Sequence, residues 1–417
     1  DVVANDYNPV AWFILKCTLE FPRQLSGKTW PLPSTNAQNV LTAQQHIPQS
    51  DSTWQMHLPN IGTDAPQADL AVHVRFWGKW VLERVSEELA PYYPTKDDQQ
   101  TVAYLWARCV PCPDPACGAT VPLLKTLWLC NKHGKRRALR LILDHEARSV
   151  RFEIWSPGPQ DDVGPGTMAG AKSHCPICGV NITPDYIKHC GRVGQLGAQM
   201  TAVVVATDHG KEYRLPTLDE QRAVEAASIA LPAAAQRIPG GLPRELLERN
   251  PRTLIVQLYG LETWADVFNA RQLLAAATFV KWIRASSEEM RLHGYPQEWT
   301  EALKAYQAAI LDRLLDYNST IAIWLQALEA VAHTFTRFAL PITWDFCEAN
   351  PLSGATGDYS GAIEWVAKVV GHLCAAVAPQ SSVRVENQDS SATTPTGTFD
   401  IVFTDPPYYD AIPYGDL

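Results

Sequence analysis

Near the C-terminus an acid, two prolines and a tyrosine stand in a row, Asp405-Pro406-Pro407-Tyr408. The run before them, Asp400-Ile401-Val402-Phe403-Thr404, is apolar and β-prone and predicts a short buried strand. The two prolines stop that strand and hold an extended turn. In open α/β sheets ligands bind at the carboxyl ends of strands. A strand followed by this turn therefore places a carboxylate, a rigid carbonyl and a flat ring at one mouth. The chemistry that suits them is recognition of an exocyclic amino group on a planar base. Asp405 and the Pro406 carbonyl accept its two N–H bonds, Pro407 fixes the turn, and Tyr408 stacks on the ring face.

Asp6 is a second carboxylate at a predicted strand end. It follows Val2-Val3-Ala4-Asn5 and precedes Asn8-Pro9, which reads as a helix cap and first turn. A carboxylate in that place is where nucleotide-type cofactors have their ribose hydroxyls bound. Asp389 follows another predicted strand, Ser382-Val383-Arg384-Val385-Glu386.

The third chemical group is sulfur. Cys112-Pro113-Asp114-Pro115-Ala116-Cys117-Gly118 and Cys175-Pro176-Ile177-Cys178-Gly179 are two cysteine pairs, each followed by glycine. A turn of this kind lets two thiolates point at one ion while the glycine takes an unusual backbone angle. Two such knuckles make the four-sulfur site of a structural zinc ribbon, with Cys112, Cys117, Cys175 and Cys178 as ligands. The first pair has the longer allowed spacing, and 57 residues (118–174) separate the pairs. Cys109 is a rival, because Cys109-Val110-Pro111-Cys112 is itself a two-spaced pair. Gly118 favours Cys112 with Cys117.

Asp400 through Tyr408 resembles the catalytic motif of S-adenosylmethionine-dependent amino-methyltransferases. The run through Tyr409-Asp410-Ala411-Ile412-Pro413-Tyr414-Gly415-Asp416-Leu417 resembles one subgroup, adenine-specific DNA methylases with an inserted zinc ribbon. The likeness extends to Asp6-Tyr7-Asn8-Pro9-Val10-Ala11, Tyr259-Gly260 through Trp264, Arg271-Gln272-Leu273, and Trp344-Asp345-Phe346-Cys347-Glu348-Ala349-Asn350-Pro351. The resemblance implies methyl transfer from S-adenosylmethionine to the N6 amino group of adenine in DNA. It implies ribose binding by Asp6, adenine binding by Asp389, and zinc on the four named cysteines. It also brings in phage-defence proteins as candidate partners. The family has a strand and Gly-rich turn ahead of Asp6, so the expectation is a piece of a longer protein, cut at both ends and silent alone. Two other readings stand beside it. One is methylation of another planar amine or amide, in RNA, at cytosine N4 or on a protein glutamine. The other is a zinc-dependent nucleic-acid-binding module with an inactive core.

The elements that must position these groups lie at both ends of the 417 residues. The expected fold is α/β, a partial Rossmann-like methyltransferase core of parallel strands drawn from both chain ends. A large insertion with a zinc ribbon and a helical region splits it. The divisions are 1–21 for the first part of the core, 22–100 for a loop and helix insertion, and 101–216 for the zinc-ribbon region. A helical insertion follows over 217–340, and the second part of the core over 341–417. Apolar residues at Val74, Trp77, Val81, Val85 and Leu89 predict a helix packing face, and Leu303, Tyr306, Ile310 and Leu314 another. Thr217-Leu218-Asp219-Glu220 is a capping box. Lys132-His133-Gly134-Lys135-Arg136-Arg137 reads as a hairpin tip, presenting charge either to phosphates or to solvent.

Composition sets the bounds. Hydrophobic content of 46% against 19% charged residues is that of a globular chain. No apolar run reaches the roughly 20 residues of a bilayer span, and clustered cysteines suggest metal rather than disulfides, so a cytoplasmic protein off the membrane is expected. A net charge of −9 argues against indiscriminate, charge-driven binding to DNA.

Overall fold

The computed structural model describes residues 2–33, 66–96, 99–250, 253–336, 339–377, 382–389 and 399–404. The chain is mixed α/β and divides into two compact units. The first comprises 1–85, 279–312 and 359–406; the second comprises 86–278, 313–358 and 407–417.

In the first unit the first strand pairs with one from late in the sequence. Strands Val2–Asn5 and Val383–Glu386 pair in parallel, with Val2 opposite Val383 and Asn5 opposite Glu386. Helix Pro9–Leu15 follows the first strand, and the Asn8 side chain caps it by accepting from the Val10 and Ala11 N–H groups at 2.8 and 3.3 Å. A π-helical turn, Lys16–Glu20, continues it. Helix Leu70–Leu89 buries the expected stripe, with Val74, Trp77, Val81, Val85 and Leu89 all inaccessible. Helix Tyr359–Ala376 packs here through Tyr359, whose ring stacks on Phe279 at 4.2 Å.

Residues 401–404 were expected to extend the parallel pair as a third strand. They carry no strand hydrogen bonds, and Phe403 is 92% exposed. An apolar run becomes a strand only where a neighbour supplies the ladder and a core takes its side chains; among the described residues neither meets this segment. Asp405, Pro406, Pro407 and Tyr408 lie outside the described residues.

His73 anchors the core of the first unit. Its Nε2 hydrogen-bonds the Trp30 carbonyl at 2.9 Å, and its Nδ1 the Tyr295 hydroxyl at 2.8 Å, with the Trp299 ring 5.0 Å away. Burial pulls the imidazole down to about 4. The folded value lies below the ordinary 6.5, so the neutral ring stabilises the fold above pH 6.5, and that contribution is lost as pH falls through about 4. The drop is worth roughly 3 kcal/mol. Urea unfolding at pH 7 and pH 4.5 should show a larger loss in the wild type than in His73→Gln; equal losses would exclude His73 as the source.

The second unit is built on an antiparallel sheet. Its order is Gly210–Arg214, Gly197–Thr207, Thr101–Pro111 and Asp345–Ala349, with Thr120–Leu123 also pairing on Thr101–Pro111. Thr101–Pro111 is buried along ten of its eleven residues, as a central strand covered on both faces must be. A three-stranded meander, Trp128–Lys132, Lys135–Asp144 and Ser149–Trp155, carries the basic hairpin. Helix Leu218–Ala235 opens on the expected capping box, with both reciprocal bonds made.

Two expected divisions differ from this. The stretch 217–340 is helical only in part, ending in a hairpin of Trp324–Leu325 with Ala330–Val331. The stretch 341–417 does not stay together either. Asp345–Ala349 joins the antiparallel sheet of the second unit, whereas Val383–Glu386 belongs to the first. The reason for the former is burial. Phe346, Cys347, Glu348 and Ala349 are all enclosed, which a strand achieves by lying beside Thr101–Pro111.

Candidate metal centre and strand-edge site

Strand Thr101–Pro111 runs directly into the first knuckle. Asp114 tightens it, its carbonyl accepting from Cys117 N at 3.0 Å and its carboxylate from Ala116 N at 2.9 Å. In the second knuckle Gly179 N donates to the Cys175 carbonyl at 2.8 Å. Gly118 and Gly179 take φ of +64° and +78°, the left-handed turn for which a glycine after each pair was expected.

The result brings four thiols together. Cys112 Sγ lies 3.6 Å from Cys178 Sγ, Cys117 Sγ lies 3.8 Å from Cys175 Sγ, and all four sulfurs fall within 4.8 Å of one another. A tetrahedral ion with metal–sulfur bonds of about 2.3 Å needs sulfurs about 3.8 Å apart. A disulfide needs about 2.05 Å, and these cysteines are not so bonded. The cluster could therefore hold a metal such as zinc. Three of the sulfurs are buried; Cys178 is exposed. The Val180 N–H directed at Cys178 lowers its thiol, as the N–H groups around a thiolate-binding knuckle do.

Cys109 is not a member. It sits within the strand, opposite Pro122 and Gly197, and its sulfur contacts the Ala107 carbonyl at 3.5 Å. An apolar layer backs the knuckles, formed by Val110, Val121, Met168, Ile182, Tyr259 and Trp344. Tyr259 meets Trp344 edge-on at 5.2 Å.

The strand-edge site belongs to the first unit. Because Asn5 faces Glu386 in a parallel register, Asp6 and Asp389 both leave at the carboxyl edge of the pair. The Asp6 N–H donates to the Glu386 carbonyl at 3.2 Å, and its carboxylate accepts from Asn8 N at 2.8 Å. Asn387 Nδ2 donates to the Asp6 and Tyr7 carbonyls at 2.9 and 3.1 Å, tying the two strand ends together. Asp6 is half-buried and Asp389 exposed. The edge thus offers two carboxylates from positions more than 380 residues apart in sequence.

Sequence reasoning missed a further arrangement. Arg271, in a segment quoted for the resemblance, is completely buried. It donates from Nε to Glu348 Oε1 at 2.7 Å and lies over the Tyr104 ring at 3.9 Å. Trp106 Nε1 and Asn269 Nδ2 donate to Glu348 Oε2 at 2.9 and 2.8 Å. The segments 271–273 and 344–351, quoted for the family resemblance, meet here as structural support.

The basic hairpin is partly neutralised by carboxylates from elsewhere in the second unit. Lys132 and Lys135 both bind Glu329, at 2.9 and 2.8 Å, and Arg137 binds Glu212 at 3.1 Å. These charges serve the fold first, which weakens the phosphate reading of that turn.

No family model, curated protein or solved structure matches the chain. Among the described residues no helix is long and apolar enough to cross a membrane.

Proposed function

We propose that the protein is an S-adenosylmethionine-dependent amino-methyltransferase acting on adenine N6 in DNA, with a structural zinc ribbon in its second unit. The observation that carries this reading is the parallel pairing of Val2–Asn5 with Val383–Glu386, which sets Asp6 and Asp389 at one carboxyl edge. That pairing is what a Rossmann-like core closed from both chain ends requires, and the Asp405-Pro406-Pro407-Tyr408 turn follows it in sequence. Asp6 would hold the cofactor's ribose, and Asp389 its adenine. When bound, S-adenosylmethionine supplies an electrophilic methyl group. Asp405 and the Pro406 carbonyl would accept the adenine amino hydrogens and hold the amino nitrogen in line for that methyl. Tyr408 would stack on the base once it leaves the duplex.

The test is transfer of labelled methyl groups to DNA, with the product nucleoside identified. N6-methyladenine is the expected product; label on cytosine, RNA or protein would overturn the substrate. Asp6→Asn should weaken S-adenosylmethionine binding at least about tenfold, the loss of one charge-assisted hydrogen bond. Unchanged affinity would remove Asp6 from the cofactor site.

The second reading is a zinc-dependent nucleic-acid-binding module with an inactive core. The four-thiol cluster favours it. DNA binding without any binding of S-adenosylmethionine would select this reading.

A further inference from the structure

Asp316, His333 and Tyr317 form a hydrogen-bonded chain in the second unit, with the Tyr317 and His333 rings packed 4.1 Å apart. Asp316 is the last residue of helix Gln297–Asp316, and Tyr317 follows it. The hairpin of Trp324–Leu325 and Ala330–Val331 then carries the chain back, so that His333 lies beside both. His333 Nδ1 is 2.5 Å from Asp316 Oδ2, and His333 Nε2 is 2.8 Å from the Tyr317 hydroxyl. The carboxylate is itself oriented. Asp316 Oδ1 accepts from Phe335 N at 3.2 Å, which turns Oδ2 toward the imidazole.

This order has a chemical direction. With Nδ1–H donating to Asp316, Nε2 carries the lone pair and accepts the phenol proton. An acid, an imidazole and a hydroxyl in that sequence are an orienting group, a base and a nucleophile. Access is open, since the His333 side chain is 46% exposed and Tyr317 is half-buried. The Arg313 guanidinium lies over the Tyr317 ring, 5.5 Å from its centroid. The hard phenol oxygen suits a hard phosphorus electrophile.

We propose that Tyr317 is a nucleophile that takes up an activated phosphoryl group, with His333 as its general base and Asp316 as the positioning residue. The phenol proton moves to His333 Nε2 as the Tyr317 oxygen–phosphorus bond forms. The bond from phosphorus to the leaving group breaks, and that group departs with its electron pair. His333 then releases the proton to water. The donor class is a phosphoric anhydride or ester with a good leaving group. Nothing in this step depends on the methyltransfer reading.

The experiment uses diisopropyl fluorophosphate on the whole chain, with fluoride as leaving group and adducts located by peptide mass spectrometry. Tyr7, 78% exposed, serves as the internal standard. General-base catalysis is typically worth 10²–10⁴-fold, so Tyr317 should be labelled at least about tenfold faster than Tyr7. His333→Gly should bring Tyr317 down to the Tyr7 rate, and added imidazole should restore it. Asp316→Asn should slow Tyr317 and leave Tyr7 unchanged. Equal labelling of Tyr317 and Tyr7 in the wild-type protein would overturn the proposal. Full labelling of Tyr317 in His333→Gly without imidazole would do the same. The wild-type comparison stands even if a variant fails to fold.

Discussion

Protein purified without chelator should carry about one zinc ion per chain, and stripping it should unfold the region around the two knuckles. The sulfur spacings of 3.6 and 3.8 Å already match the edge of a thiolate tetrahedron, so little rearrangement is needed to admit the ion. Structural zinc contributes on the order of 10–16 kcal/mol in peptide systems near neutral pH. That exceeds the 5–15 kcal/mol by which most domains are stable at all, in its upper range. Without the ion, three buried thiols crowd one another, held by the turn hydrogen bonds of the knuckles and the apolar layer of Val110, Met168, Ile182 and Trp344. Cys112→Ser and Cys175→Ser should each lose the metal, because either change removes one of four ligands. Cys109→Ser should keep it, since that sulfur faces the Ala107 carbonyl. The readouts are metal analysis and alkylation of the exposed Cys178, which the ion should protect and a chelator should release. Protein free of zinc, or Cys178 alkylated equally fast with and without chelator, would reject the site. Zinc loss in Cys109→Ser would reject the ligand assignment.

The cysteine cluster was legible because its signal is local. A knuckle needs two thiols, a short turn and a glycine, all adjacent in sequence. The helix stripe at Val74, Trp77, Val81, Val85 and Leu89 was legible for the same reason, as a 3.6-residue period is read within one segment. The pairing of Val2–Asn5 with Val383–Glu386 is not local, and only the resemblance of both ends to one family suggested it. The Arg271–Glu348 pair was not legible because the partners are 77 residues apart and the usual place for an arginine is the surface. The Asp316–His333–Tyr317 chain was missed because a hairpin folds His333 back through no periodic pattern. The strand expected at 401–404 shows the opposite failure. Ile401, Val402 and Phe403 have the right side chains, yet strand formation also needs a neighbour, which no propensity encodes.

Arg271→Met should destabilise the second unit by about 3–5 kcal/mol, the range found when one partner of a buried ion pair is removed. Both side chains of the Arg271–Glu348 pair are completely inaccessible. Burial alone would pull the guanidinium down; the Glu348 carboxylate outweighs it and holds Arg271 above the usual arginine value, so the charge persists. Removing it leaves Glu348 in the core without its cation, beside the neutral donors Trp106 and Asn269. Glu348→Gln in the same chain should recover much of the loss, because the amide keeps an acceptor for those donors without the buried charge. The pair is not ideally satisfied, either. Among the described residues, Arg271 Nη2 and the hydroxyls of Tyr93 and Tyr104 are buried without hydrogen-bond partners. Desolvation is thus only partly offset, and the double variant should fall closer to wild type than either single change predicts by addition. The measurement is a double-mutant cycle in urea, with hydrogen exchange along Thr101–Pro111 reporting on the sheet that carries Tyr104 and Trp106. A cost below about 1 kcal/mol for Arg271→Met, the scale of an exposed ion pair, would show that the pair is solvated in solution. Strict additivity in the cycle would show that the two residues do not act as a pair.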